Sequence, residues 1–392
     1  MNYGVPIQRV LVVARKYWPW VDESCLRLMH LLDGWRSRRI EPTVLTGRWH
    51  THWPERASLR DNQVVRLLPP PRTNWNEGQF QKNVVSWISQ HRSEFDAIYV
   101  DRADGLLSAI AAKSSKWNMP LLTRFSLDES PAETARSQWL SPAAAAEACR
   151  RCDRVIVPTA FSQRLLLPHG INADRIAWIP DFSLYRADRS PAARAAASAA
   201  LFGVSSGFVL PARTDMILHL GTADERRLNA VIHAVSDLLD QGLSARMWII
   251  GAGAAAEMVY DTIQFRGWQR EILLFEGFDD LQELIAVADL AIVSNPDATL
   301  QFSAPLIVNS ELPMVMAANV ESMQWIPETQ LMKWYESDES LRLRLREWCQ
   351  HREQWQSEAK ALRAHAHRHL PPEGMLDLWN TLLHPLRNEA RG

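Results

Sequence analysis

At 392 residues, with 43 Lys and Arg against 45 Asp and Glu, the chain has length for two or three self-sufficient cores and no global field that would draw it to nucleic acid or an anionic surface. Four cysteines exclude a secreted disulfide scaffold and none has zinc-ribbon spacing, so a reducing cytoplasm is the expected setting, with no metal. The N-terminal MNYGVPIQRVLVVARKYWP has a short apolar run flanked by arginines, which suits neither a secretion signal nor a membrane span, and leaves at most peripheral membrane contact.

Short β-branched runs alternate with longer helical patterns from the start, the signature of βαβ units and a buried parallel sheet. RVLVVA reads as the first strand. Ser24 to Arg38 then puts Cys25, Leu28, Met29, Leu32 and Trp35 on one helical face, and PTVLTG follows as a strand. The first sixty residues lean basic, with ten Lys and Arg against five Asp and Glu; Arg36, Arg38 and Arg39 beside Trp35 read as a solvated helix end. The rhythm continues through VVRLLP, DAIYVD, PLLTRF and RVIVPT, with LLSAIAAKSSKW among the helices, and a first domain is predicted over residues 1–181. Cys149 and Cys152 form a C-x-x-C at the end of a helical run; redox pairs favour helix starts, so these read as half-buried small apolar residues.

Residues 182–213 turn rich in Ala, Ser, Pro and Arg and are the predicted linker, holding one short helix because alanine is the strongest helix former. A second α/β rhythm follows over 214–340, with strands at MILHLG, ARMWIIG, EILLFEG, LAIVSN and PMVMAA. The tail, 341–392, reads as one long amphipathic helix up to Pro371-Pro372, with Leu341, Leu345, Trp348, Trp355, Ala359 and Leu362 in a stripe suited to the interdomain groove.

Open α/β sheets bind ligands beyond the carboxyl ends of their strands, so four strand ends are candidate sites. At Gly221-Thr222 the chain leaves a strand and opens a helix, where free N–H groups attract an anion. Arg226 and Arg227 lie at that positive end and point to a ligand such as a diphosphate, or Asp224 caps the helix and the charges balance on the surface; both readings stand. Gly251 and Gly253 match the G-x-G-x-x-A form of the dinucleotide fingerprint, although a strand and helix precede them in their domain, and close strand–helix packing also explains them. Arg15 and Lys16 end the first strand beside Trp18-Pro19-Trp20, within reach of a phosphate or a sugar face, or simply exposed on a loop. His365 and His369 share a helix face but lie in last turns, where histidine complements the dipole. Asp101, Asp104 and Asp297 end strands or begin loops, and a lone carboxylate specifies no reaction.

In this order and spacing, the motifs resemble the GT-B retaining glycosyltransferases of family 4, the group-1 family that uses nucleotide-sugar donors. RVLVVARKYWPW resembles its opening strand and proline loop, and CDRVIVPTAFSQRLLLPHGINADRIAWIPDF its long mid-chain segment. MILHLGTADERRLNAVIHA, RMWIIGAGAAAEMV and EGFDDLQELIAVADLAIVSN resemble the motifs of its second half. The resemblance implies two Rossmann-like doubly wound domains with a C-terminal helix. It implies a nucleoside diphosphate sugar as co-substrate rather than a cofactor, a glycan or lipid-linked acceptor of polysaccharide biosynthesis, and donor diphosphate contacts from Gly221, Thr222, Arg226 and Arg227, with Gly251 and Gly253 nearby.

The donor-site motifs depart from the family. Thr222 stands for its arginine and Arg226 for its lysine, while Ala298 and Leu306 fall where it has two glutamates and Asp297 is one residue away. Val21-Asp22 replaces its glycine pair, Arg124 or Phe125 its histidine, and Pro180-Asp181-Phe182 its Pro-Asn-Gly. No residue is assigned as catalytic. Three functions follow: a nucleotide-sugar glycosyltransferase, a catalytically degenerate GT-B protein acting as a binding partner, and a dinucleotide-dependent oxidoreductase resting on the glycine fingerprint alone.

Overall fold

A computed structural model describes residues 9–19, 22–125, 142–209, 211, 213–220, 225–251, 255–275, 280–294, 303–318 and 333–383. They form two sheets, each covered on both faces. The first contains β1 (Arg9–Val13), β2 (Glu41–Gly47), β3 (Arg56–Leu59), β4 (Asn62–Leu67), β5 (Ala97–Val100), β6 (Leu121–Arg124), β7 (Arg154–Val157) and β8 (Ile176–Trp178), in the spatial order β3-β4-β2-β1-β5-β6-β7-β8. Its helices are α1 (Glu23–Ser37), α2 (Asn74–His91), α3 (Gly105–Trp117), α4 (Pro142–Cys149) and α5 (Ala160–Leu166). All pairings are parallel except the hairpin β3–β4, whose turn residues Arg60 and Asp61 have φ of 47° and 64°. Two left-handed residues make a turn whose twist matches the hairpin, and it sets Arg60 at a protruding tip.

After the crossing segment comes α6 (Pro191–Val204), then β9 (Asp215–Leu220), α7 (Glu225–Asp240), β10 (Ala245–Ile250), α8 (Ala256–Arg266) and β11 (Ile272–Phe275). The lobe continues with α9 (Gln282–Val287), β12 (Leu290–Val293), α10 (Ser303–Asn309), β13 (Met314–Ala317) and β14 (Lys333–Tyr335). Its six strands lie in the order β11-β10-β9-β12-β13-β14, all parallel. In both sheets the first strand is central and the chain runs outward on either side of it, so β1 and β9 stand at the switch points where such sheets hold ligands.

Helix α6 lies in the segment read as a linker, yet it packs Ala197 and Leu201 into the second lobe's core beside Leu218 and Trp248. The tail is three helices rather than one: α11 (Asp338–Gln350), α12 (Arg352–His369) and α13 (Pro372–Leu383). His351, at φ −131° and ψ 41°, breaks the first from the second, and Pro372 opens the third instead of ending the tail. The predicted stripe persists across the break. Leu341, Leu345, Trp348 and Trp355 bury against one face of the second sheet, Leu362 and Ala366 against the other, and Met375, Leu376 and Trp379 enter the first lobe.

That entry is tight. Trp379 packs edge-on against Trp35 and Tyr99 at 5.3 and 5.4 Å, and a Cβ on Gly34 would lie 2.5 Å from Leu376 Cδ2, so the bare glycine lets α13 settle on α1. Each aliphatic side chain buried in this way stabilises the fold by about 1.5–3 kcal/mol. Arg38, read as part of a solvated helix end, instead meets Glu373 and Asp377 of α13 at 2.8 Å each.

Candidate functional site

The carboxyl edges of the two sheets meet. Helix α1 starts just past β1, helix α10 just past β12, and the Glu23 carboxylate of the first accepts the Ser303 N–H of the second at 3.0 Å. At the amino edge of the first sheet, Arg60 of the β3–β4 tip reaches Asp280 of the second lobe at 3.7 Å while bonded to Asp33 at 2.9 Å. The crossing segment is tied to the second lobe as well: Asn309 Nδ2 donates to Tyr185 O at 2.7 Å and Ser310 Oγ accepts Ala187 N–H at 2.9 Å.

On the second lobe, Arg226 is exposed and Arg227 half-buried in the first turn of α7, directly beyond the end of β9. Glu225 shares that turn and complements the helix dipole. Gly251 follows β10 at φ 78°, a conformation that glycine adopts without strain, and its N–H bonds Phe275 O at 3.0 Å. Gly221, Thr222, Gly253, Asp297 and Ala298 lie outside the described residues. Leu306 is buried in α10 within the apolar core, so the carboxylate-bearing position of the family is a packing position here.

On the first lobe, Arg15 is held by Glu77 and, at 3.4 Å, by Asp104, and Lys16 lies 3.7 Å from Asp22. Asp104 also caps α3 through Leu106 N–H at 2.8 Å, and Asp22 caps α1 through Cys25 N–H at 2.8 Å. Burial pushes the Glu77 carboxyl up, against the pull of Arg15. Both Asp101 carboxylate oxygens accept from the single Nη2 of Arg27, at 2.7 and 2.8 Å, and Oδ1 also accepts the Tyr99 hydroxyl at 3.0 Å, all buried. Arg124, the last residue of β6, pairs with Asp181 at 2.8 Å, both buried, beside a pocket also lined by Arg27, Phe182 and Trp379. Two departures from the family pattern, distant in sequence, thus meet as one ion pair.

Two backbones of the same shape accompany this geometry. Sucrose-phosphate synthase from Thermosynechococcus elongatus superposes with a TM-score of 0.77 at 14% identity, covering 97% of this chain and 100% of that one. HepE from Anabaena, in complex with UDP and glucose, gives 0.72 at 16% identity, with 97% and 100% covered. The family model of Glycosyltransferase Family 4 matches residues 27–182.

The chain has the GT-B fold.

A further GT-B neighbour, WaaG, a glycosyltransferase involved in lipopolysaccharide biosynthesis, gives a TM-score of 0.70 at 16% identity over 96% of this chain and 100% of that one. No curated protein sequence matches. Cys149 and Cys152 are fully rather than half buried and their thiols are pushed up by desolvation, Cys149 to about 12, the opposite of a redox pair. The rings of His365 and His369 lie 4.5 Å apart, and among the described residues no group of three ligand side chains could hold a metal. No helix among the described residues is long and apolar enough to cross a membrane. Glu77 and Arg60 were missed in the sequence, since each matters only through partners far along the chain. Trp49 and Trp53 were missed although the run RWHTHW was there to signal an aromatic loop.

Proposed function

We propose that this GT-B protein is a retaining glycosyltransferase that moves a sugar from a nucleoside diphosphate donor to a glycan or lipid-linked acceptor. The observation that supports this most is the meeting of two separately folded, doubly wound lobes at their strand ends, through Glu23 and Ser303, with Arg226 exposed at the start of the helix that follows the second lobe's central strand. Such a transfer asks little covalent work of the protein. It needs the departing diphosphate neutralised and the acceptor hydroxyl placed on the anomeric carbon.

In this reading the α7 helix start and Arg226 take the diphosphate, with Arg227, Gly221 and Thr222 beside them, and the turn at Gly251 and Gly253 borders the nucleotide. Asp297, one position along the sequence from Ala298, is the carboxylate that would stand in for one of the family's missing pair. The first lobe presents the acceptor. The crystals of HepE with UDP-glucose make uridine donors the first to try. The free thiols at Cys25, Cys149, Cys152 and Cys349 agree with work in a reducing cytoplasm.

The test is a panel of UDP-, GDP- and ADP-sugars assayed for hydrolysis and transfer, with thermal shift against the matching diphosphates. One nucleotide is expected to raise the melting temperature, and Arg226→Ala to lower turnover about a hundredfold, the usual effect of losing one contact worth about 2–4 kcal/mol to a developing charge. Absence of any nucleotide shift overturns the reading.

A further inference from the structure

The loops after β1, β2 and β4 form an aromatic rim on the first lobe, built around one buried cation. Arg66, near the end of β4, is 1% exposed. Its two terminal nitrogens donate to Pro54 O at 3.0 Å and Trp18 O at 2.9 Å, and its guanidinium lies 5.7 and 5.8 Å from the Trp18 and Trp53 rings. A single residue therefore clamps two loops and fixes two indoles. Trp49 is fixed independently, its Nε1 donating to Arg15 O at 2.9 Å. Between Trp49 and Trp53 the chain turns outward and exposes His50 and His52, whose rings lie 4.7 and 6.3 Å from that of Trp53. Helix α2 opens on the same rim, joined to it through Glu77 and Arg15, and its first turn carries Trp75 at 84% exposure.

Four cations beside these rings are engaged by the protein, while Arg72, on the loop after β4, is exposed. Arg15 is engaged by Glu77 and Asp104, Lys16 by Asp22, Arg66 by two carbonyls, and Arg48 by Trp53 O at 2.6 Å and Thr51 O at 2.7 Å. What faces outward is imidazole and indole, flat faces fringed by N–H donors and ring-nitrogen acceptors. That chemistry suits a neutral, hydroxyl-rich ring, whose C–H face lies on an aromatic plane while its hydroxyls meet the imidazoles. A phosphate or an anionic membrane asks for a cluster of free cations, whereas the cations that touch these rings are engaged.

We infer that the rim formed by Trp49, His50, His52, Trp53 and Trp75 binds a neutral saccharide chain, holding the acceptor away from the point of transfer. Its role as an acceptor site rests on the transferase reading above; the binding itself does not.

The experiment uses the full chain on an array of neutral gluco-, galacto- and manno-oligosaccharides, then titrates the best hit by tryptophan fluorescence. Binding is expected, with Trp75→Ala and the double variant His50→Ala/His52→Ala each weakening it at least fivefold. These side chains are exposed, so both variants keep the parent melting temperature, and neither changes the thermal shift produced by a nucleoside diphosphate. Saccharide binding that both variants leave intact overturns the site. So does a protein that binds nucleotide but no saccharide, which leaves the donor reading standing. Adsorption to phosphatidylglycerol vesicles in place of the saccharides, lost in Trp75→Ala, assigns the rim to a membrane and also overturns it. A protein that binds saccharide but no nucleotide upholds the rim while sinking the transferase reading.

Discussion

The first lobe buries ion pairs under its strand ends, Arg27 with Asp101 and Arg124 with Asp181, whereas the second keeps pairs such as Arg352 with Asp215 and Arg342 with Asp237 toward solvent. Among the described residues the second lobe's buried polar groups are neutral: Ser294 and Tyr335 share a bond at 2.8 Å, and His219 lies between Ile249 and Ile292 on the neighbouring strands. Two sheets of one architecture thus reach stability differently. In the first, fully buried ion pairs fix which elements meet; in the second, the ion pairs sit at partly exposed positions, such as Lys333 with Glu358 and Arg194 with Asp289. A buried pair stabilises little compared with an apolar replacement, but removing one member leaves a stranded charge.

The sharpest way to break this contrast is Arg27→Met, which leaves Asp101 buried without its cation. Urea denaturation should register a loss of about 3–5 kcal/mol, and Arg27→Met combined with Asp101→Leu should recover much of it. A double variant as unstable as the single one would mean the pair does more than neutralise itself.

The second prediction concerns pH. Burial holds the His219 imidazole down to about 4, and both of its ring nitrogens lack hydrogen-bond partners among the described residues. The unfolded imidazole takes up its proton near 6.5, so between these values the unfolded chain binds more protons than the folded one. Stability is therefore full above about pH 6.5 and falls, by up to about 3 kcal/mol, as pH drops toward 4. In the first lobe His30 acts with the same sign, held to about 3 by burial and by Arg60. His219→Leu should flatten the urea midpoints measured from pH 7 to pH 4.5, leaving the slope due to His30, His367 and the carboxylates.

The smallest effect should come from the boundary between the lobes. Arg60 is partly exposed and lies 3.7 Å from Asp280, so Arg60→Ala should cost no more than about 1 kcal/mol, with the difference shrinking in high salt. Small-angle scattering should nonetheless show a larger radius for the variant. An unchanged radius would mean that the Glu23 bond and the crossing segment alone set the lobe angle.

The alternation of strands and helices was legible because parallel strands buried on both faces must be continuous apolar runs, and RVLVVA, MILHLG and LAIVSN are such runs. β3, β8 and β14 were not read as strands. They are short and partly exposed edge or near-edge strands, so burial imposed no pattern on them. The break at His351 was invisible because the apolar stripe continues through it. At the candidate site, the cationic helix start at Arg226 could be read from adjacent residues. The pairing of Arg124 with Asp181 spans 57 positions, and that of Arg15 with Glu77 spans 62, and no local spacing encodes such meetings.

The lodging of α13 against α1 has a consequence for biogenesis. The first lobe's sheet emerges from the ribosome early, but the indole and leucine that complete its second face are translated some two hundred residues later, at Leu376 and Trp379. A nascent first lobe must wait with Trp35 and Tyr99 uncovered while the entire second lobe is synthesised, and it closes only when the last helix returns across the boundary. A chain truncated before α13 therefore lacks the side chains that cover Trp35 and Tyr99.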